Sequence, residues 1–312
     1  MMYGRKTLVY SIAPALLLSA ALPALAQQAP TEGPVPTTAT ITVEAKHNAQ
    51  FDPQSLRLQI NRHDTPITSV TSISKVPTQV AVLIDDGLRM SFANQLDDMR
   101  KFLLGLPNGV QVLVGYMQEG TVREVTRGFT ADHQAAADSL RLPFAARGIS
   151  ASPYFCLSDF VKQWPSNEPG ARIVLMITNG VDPYNGSTSP MNQDSPYVQQ
   201  AQEDAQAASV AVYSLYYSNA GMRFGAFSGQ SYLSQVAEAT GAMSFNQGTI
   251  TPPSILPYLN EFTKALSESY IVAFQALPAK KNTLDGLKVM TSQRDVKIHA
   301  PEAVKPGVSL LR

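Results

Sequence analysis

The stretch "VAVLIDDGLRMSF", Val80–Phe92, decides the fold. Its first five residues are aliphatic or alanine with no polar break. That is the pattern of a strand covered on both faces, as in a parallel sheet. Two carboxylates follow, Asp85 and Asp86, then a glycine turn at Gly87, then Arg89. Beyond them Phe92, Leu96, Met99 and Leu103 recur at helical spacing in "FANQLDDMRKFLLGL". A strand, a tight turn and a helix in this order make half of a βαβ unit. Carboxylates at the carboxyl end of such a strand stand where open α/β sheets bind their ligands. The pair either holds a metal ion or has Arg89 in the metal's place.

Working outward, four more strand-like runs alternate with helical segments: "VQVLVGYM", "RIVLMIT", "SVAVYSLYY" and "SYIVAFQAL". "PYFCLSDFVKQW" places Tyr154, Leu157, Val161 and Trp164 on one helical face, and "YLSQVAEATG" ends in a glycine suited to a helix C-cap. The alternation predicts a doubly wound, mostly parallel α/β sheet over residues 77–276. Flanking it are segments of period two. "ATITVEAK" and "SLRLQINR" lie in residues 39–76, and "DGLKVMTS" and "DVKIHAP" in residues 277–312. Half-buried strands have this alternation, so the two ends of the chain are expected to pack together in a small antiparallel β unit.

The chain has 312 residues, 44% hydrophobic and 15% charged, a globular composition. Arg5 and Lys6 precede the apolar "TLVYSIAPALLLSAALPALA", which ends in the A-x-A site Ala24–Ala26. Residues 1–26 therefore read as a signal peptide cleaved after Ala26, and residues 27–38, rich in Pro, Thr and Gln, as a flexible leader. A periplasmic or secreted protein is expected, with no membrane span once the signal is removed. Losing Arg5 and Lys6 from 24 basic residues against 24 acidic ones leaves a net charge of −2. That balance argues against nucleic acid as a partner. The single cysteine, Cys156, excludes an internal disulfide, and in its aromatic-rich helix it reads as a small buried hydrophobe.

The motifs of several enzyme classes are missing. The sequence has no G-x-x-x-x-G-K-[ST] loop and no G-x-G-x-x-G fingerprint. The four histidines, His47, His63, His133 and His299, avoid the strand tails, so a Ser/His/Asp triad has little support. A hydrolase using Asp85 or Asp86 would need an acid partner and an oxyanion or phosphate cradle, and neither stands out. The strand tails that share the crevice are Asp85–Arg89, Thr178–Asp182 and Tyr217–Gly221, joined by the helix start Gly148–Pro153.

The order and spacing of these tails, with "ISASPYFCLSDFVKQWP", "ARIVLMITNGVD", "AQAASVAVYSLYY" and "YLSQVAEATGAMSF", resemble the von Willebrand factor type A domain. They look most like the bacterial secreted branch called VWFA-related acidobacterial proteins. The resemblance covers nearly all of the chain after the signal, and it implies a protein-binding domain. The family's metal-dependent adhesion site has a D-x-S-x-S after its first strand, a Thr from a helix-start loop and an Asp in a "TDG"-like turn. Those residues offer the hard oxygens that an octahedral Mg²⁺ takes. On that pattern Asp85 matches the first Asp, Gly87 the first Ser and Arg89 the second. Ser152, or in an alternative alignment Ser150, matches the Thr, and Asn179 matches the turn Asp. Two hydroxyl ligands are lost and one carboxylate is neutralised, with Asp86 and Asp182 as extra acids nearby.

The resemblance therefore implies a degenerate, metal-free crevice of Asp85, Asp86, Gly87, Arg89, Ser152, Asn179 and Asp182, with Arg89 pairing bidentately to Asp85 or Asp86. No cofactor is expected. Mg²⁺ or Ca²⁺ is disfavoured, and if one binds, Asp85, Asp86 and Asp182 are its ligands. Ser152-Pro153 equally makes a favoured helix start, a cap followed by proline. The loop "SNAGMRFGAFSG" carries Met222, Arg223, Phe224 and Phe227, a candidate partner-contact loop whose residue types suit interface hot spots, unless it folds onto its own domain. The expected function is an exported, non-enzymatic protein-binding module whose partner offers an acidic group. The alternatives are a structural subunit with a vestigial crevice and a weak Mg²⁺- or Ca²⁺-dependent adhesion domain.

Overall fold

Strand Thr78–Asp85 is buried along its whole length, with Val80, Val82 and Ile84 facing one apolar layer and Ala81 and Leu83 the other. This two-faced burial organises the molecule. The computed structural model describes residues 33–47, 49–88, 90–144, 152–184, 194–218, 225–246, 248, 252–278 and 283–311. In chain order the strands are β1 (Val35–Ala45), β2 (Leu56–Ile60), β3 (His63–Thr65), β4 (Ile67–Ser72), β5 (Thr78–Asp85), β6 (Val110–Gln118) and β7 (Thr121–Glu124). They continue with β8 (Ala171–Thr178), β9 (Val210–Tyr216), β10 (Ser244–Phe245), β11 (Ser269–Ala276), β12 (Asp285–Thr291), β13 (Val296–His299) and β14 (Ala303–Val304). The helices are α1 (Leu96–Leu104), α2 (His133–Asp138), α3 (Pro153–Lys162), α4 (Pro196–Ala207), α5 (Gly225–Ala239) and α6 (Leu256–Ser267).

The main sheet has the order β10-β9-β8-β5-β6-β7, parallel except for the β6–β7 hairpin. Helices α1, α2 and α6 cover one face, and α3, α4 and α5 cover the other. This is the expected doubly wound α/β class. The chain leaves β5 toward β6 and returns to its other side at β8, which makes the tails of β5 and β8 the switch point, the place where sheets of this class bind ligands.

The last strand-like run corrects the sequence reading. "SYIVAFQAL" was expected as a parallel strand of this sheet. It is β11, and it lies antiparallel between β1 and β4 in a second sheet, β13-β1-β11-β4. A third sheet, β14-β12-β2-β3, packs against that one. Ile41, Leu58, Val272, Phe274, Leu287 and Val296 fill the space between them. The terminal segments thus form a β-sandwich, and β1 with β13 and β2 with β12 pair its N- and C-terminal strands. β1 begins at Val35, inside the segment expected as leader, because Val35 to Thr38 pair with β11. A buried hydroxyl cluster joins sandwich to sheet: Tyr213 Oη lies 2.6 Å from Thr42 Oγ1 and 3.0 Å from Ser269 Oγ. The expected signal peptide, residues 1–26, lies outside the described residues. Among the described residues, no helix is long and apolar enough to cross a membrane.

Candidate functional site

β5 ends with Asp85 in register with Met117 of β6, and the chain turns at once through Asp86 and Gly87. Both carboxylates are buried, Asp86 completely. Asp85 closes its own turn, since Oδ1 accepts the Gly87 N–H at 2.8 Å. Its Oδ2 accepts the hydroxyl of Thr178, at the tail of β8, at 2.6 Å. Thr178 Oγ1 in turn accepts the Gly180 N–H at 3.2 Å. Burial pushes the Asp85 carboxyl above the usual carboxylate range, against the lowering effect of these two hydrogen bonds, and the Asp86 charge adds to the rise.

Asp86 has a different partner set. Arg141, just after α2, forks onto it, Nη1 to Oδ1 at 2.7 Å and Nη2 to Oδ2 at 3.1 Å. The Phe144 N–H donates to Oδ1 at 3.1 Å. The guanidinium is gripped from both sides, 3.8 Å from the centroid of the Tyr116 ring and 4.1 Å from that of Phe144. The Tyr116 hydroxyl donates to the Arg141 carbonyl at 2.6 Å, which fixes the backbone that carries it. Among the described residues, Arg141 is the cation of the crevice. Arg89, expected in that role, lies outside them. Sequence reasoning missed Arg141. The one available signal was a lone arginine set in the otherwise apolar "LRLPF".

The remaining crevice residues brace loops. Asp182 accepts the Ser195 hydroxyl on Oδ2 at 2.8 Å and the Tyr184 N–H on Oδ1 at 3.2 Å. Ser195 caps α4 by accepting from Tyr197 and Val198 N–H. Asp182 thus ties the β8 tail to a helix start. Ser152 is the N-cap of α3, accepting the Tyr154 N–H at 3.3 Å, with Pro153 at the first helical position. Asn179 Oδ1 accepts the Val181 N–H at 2.9 Å in a tight turn. Gly180 in that turn has φ +65°, and its carbonyl takes the Tyr154 hydroxyl at 2.8 Å. Burial and the Asp182 charge raise the Tyr154 phenol well above its ordinary value. Burial, then the Asp85 charge, pushes the Cys156 thiol up to about 12.

The structure therefore gathers Asp85, Asp86 and Gly87 at one strand tail and Asn179 and Asp182 at the next. Ser152 is buried at a helix start, occupied as a cap. Of the partner-contact loop, Met222, Arg223 and Phe224 lie outside the described residues, and only the backbone of Phe227, in α5, is described. Among the described residues, no three His, Cys, Asp or Glu side chains come together as a metal-binding group. Beside Arg141, Leu142 and Phe144 are exposed by 38% and 69%, two apolar side chains open to solvent.

No protein-family model matches the chain, and no curated protein matches it. Among solved structures it is similar to a von Willebrand factor type A protein from Catenulispora acidiphila, at 12% identity and a TM-score of 0.45, covering 88% of this chain and 75% of that one. It is also similar to the conserved hypothetical protein BatB from Bacteroides thetaiotaomicron, at 12% identity and a TM-score of 0.43, over 61% of this chain and 97% of that one. A third similar structure is the pilus adhesin SpaC from Lactobacillus rhamnosus GG, at 10% identity and a TM-score of 0.44, over 81% of this chain and 48% of that one.

Proposed function

We propose that the protein is an exported, non-enzymatic binding module of the von Willebrand factor type A kind, whose crevice is metal-free and carries a built-in cation. One observation bears most of this reading: each carboxylate oxygen of Asp85, Asp86 and Asp182 already accepts a donor from the protein itself. Mg²⁺ prefers an octahedron of hard oxygens, with carboxylates free to face it. Here Asp86 is forked to a guanidinium, Asp85 and Asp182 are held by hydroxyl and amide donors, and Gly87 offers no side-chain oxygen. A divalent ion does not fit this donor set.

The same bonding disfavours catalysis by these groups. A nucleophile or general base needs a lone pair directed at substrate, within hydrogen-bond reach of the reacting proton. Asp85 directs its oxygens at Thr178 and Gly87, and the Cys156 thiol is far from ionising at neutral pH. What the crevice offers a partner is contact. Arg141 retains 27% side-chain exposure, and Phe144 and Leu142 stand beside it. Arginine and aromatic anchors together are the residue types that dominate interface energetics. The cation favours an acidic group on a protein partner. The apolar N-terminal segment, with its basic start and A-x-A end, supports export to the periplasm or beyond.

Calorimetric titration of the purified protein with Mg²⁺, Ca²⁺ and Mn²⁺ tests this reading. The expected result is no heat of binding and no change in melting temperature at millimolar ion. Binding that disappears in Asp85→Ala would restore a metal-dependent adhesion mechanism. Partner capture from the source cells is expected to survive EDTA and to be lost in Phe144→Asp.

A further inference from the structure

A cavity of about 400 Å³ lies at the opposite pole of the main sheet from the Asp85 tail. Along β8, Arg172 shares a face with Val174 and Met176, which pack in the layer of α3, α4 and α5. Helices α3 and α4 both end beside this cavity, at Lys162 and Ala207. The segment after β14 adds Lys305 and Val308 to its wall. Arg172 and Thr178 are six residues apart along β8, which places the cavity about 20 Å from the Thr178 tail.

Three cations and one carboxylate line the cavity, a surplus of two positive charges. The carboxylate is already engaged. Asp204 Oδ2 takes the Lys162 ammonium at 2.8 Å and the Ser158 hydroxyl, and its Oδ1 takes the Gln200 amide at 3.1 Å. Arg172 and Lys305 make no ion pair among the described residues. Arg172 Nη1 reaches the Ala208 carbonyl at 3.4 Å, a long contact for this bond type. Its Nε is buried and donates to nothing among the described residues. Burial pulls the guanidinium below its ordinary value, with no acid acting to raise it again. Ser166, on the same wall, accepts from Gln79 Nε2 at 2.6 Å and from the Glu168 N–H at 3.1 Å, so its own O–H remains to be donated. A cation beside two helix C-termini also answers their carbonyls, and the Nη1 contact does that. Capping leaves the buried Nε and Lys305 without a role.

We propose that this cavity binds a phosphate group, as the free ion or as the monoester of a small molecule. A guanidinium, an ammonium and a hydroxyl are the donors that hold a tetrahedral dianion. The guanidinium forks onto two oxygens, and the ammonium meets a third as a point charge. The surplus of two positive charges matches a group that carries about −1.5 to −2 at pH 7. Val161, Val308 and the Trp164 ring give the cavity an apolar side, against which the organic part of an ester packs.

Trp164 is the single tryptophan of the chain, so tryptophan fluorescence reports on this cavity. The purified protein is titrated with inorganic phosphate and with phenyl phosphate, at an ionic strength held constant with chloride. A saturable change is expected, with a millimolar or lower dissociation constant that calorimetry reproduces. Arg172→Gln and Lys305→Gln are each expected to raise that constant at least about tenfold. Arg123→Gln removes an exposed cation elsewhere and is expected to leave it unchanged. Circular dichroism checks that the variants fold. Equal constants for the two compounds identify the free ion as the ligand, and a tighter phenyl phosphate identifies an ester. No saturable binding by either method at tens of millimolar overturns the proposal. So does binding that both folded variants, Arg172→Gln and Lys305→Gln, retain. The cavity and the carboxylates lie at opposite ends of β8, so neither result bears on the metal titrations.

Discussion

Replacing Arg141 with methionine isolates the interaction on which the crevice reading depends. Methionine keeps much of the length and the contact with Tyr116 and Phe144, and it removes the guanidinium. Asp86, 0% exposed, is left with the Phe144 N–H in place of a bidentate fork. Breaking a buried ion pair by removing one partner costs about 3–5 kcal/mol, because the other charge stays buried and uncompensated. Arg141 is 27% exposed, so water reaches the vacated space and the lower end applies, about 3 kcal/mol. The lost stacking of the cation between two rings adds about 0.5–1 kcal/mol at most. For a domain of this size each kcal/mol lowers the melting temperature by about 2–4 °C, so a fall of roughly 7–16 °C is expected. Urea denaturation at pH 7 measures the free energy directly. Asp86→Asn combined with Arg141→Met removes both charges, and we expect it to regain about 2 kcal/mol over the single variant. If Arg141→Met lies within 1 kcal/mol of the parent, or the double variant is no better than the single, the pair does not organise the crevice.

Other consequences are equally open to measurement. The Asp85 carboxyl is held above its ordinary value by burial, so its charged form is disfavoured in the folded protein. Its contribution to stability is most favourable below the unfolded carboxylate range, declines as pH rises, and is fully unfavourable above the folded pKa. Asp85→Asn, whose amide can bond both Thr178 and Gly87, is expected to match or exceed the parent in stability at pH 7. A plot of unfolding free energy against pH would show the parent losing its relative advantage as pH rises, and a variant much weaker than the parent at pH 7 would count against this account. Gly180→Ala combines a left-handed φ of +65° with a Cβ placed 2.7 Å from Leu233 Cγ, so a loss of at least about 3 kcal/mol is expected. Gly248→Ala, at φ +66° with nothing within 4 Å, is the control and should lose only about 1 kcal/mol in the same thermal melt. The Cys156 thiol, pushed up to about 12 and fully buried, should resist an aromatic disulfide reagent at pH 8 until the protein is unfolded.

The α/β class was legible in the sequence because its signal is local. Val80 to Ile84 has no polar break since both faces of β5 are covered, and the same holds for the central parts of β6, β8 and β9. Helical spacing marked the α1 face that buries Leu96, Met99 and Leu103. Asp85 and Asp86 were legible as carboxylates at the tail of a parallel strand, which is where the structure places them. The cap Ser152 was legible from its Ser-Pro pair.

Partners were not legible. "SYIVAFQAL" carries an apolar run that suits a parallel core strand or the centre of an antiparallel sheet, and its pairing with β1 and β4 is set by residues some 200 and more positions away. Arg89 is close to the carboxylates in sequence, yet Arg141, 55 residues beyond Asp86, supplies the fork. The tie from Asp182 to the cap of α4 likewise depends on where the β8 tail meets a helix start. What the sequence by itself determined was the class of fold and the carboxylates at its switch point, because side-chain period follows from the local geometry of strand and helix. What only the tertiary structure decided was which strand pairs with which and which cation meets which carboxylate. Those choices depend on packing between distant segments, where many sequence-compatible partners compete and burial selects one.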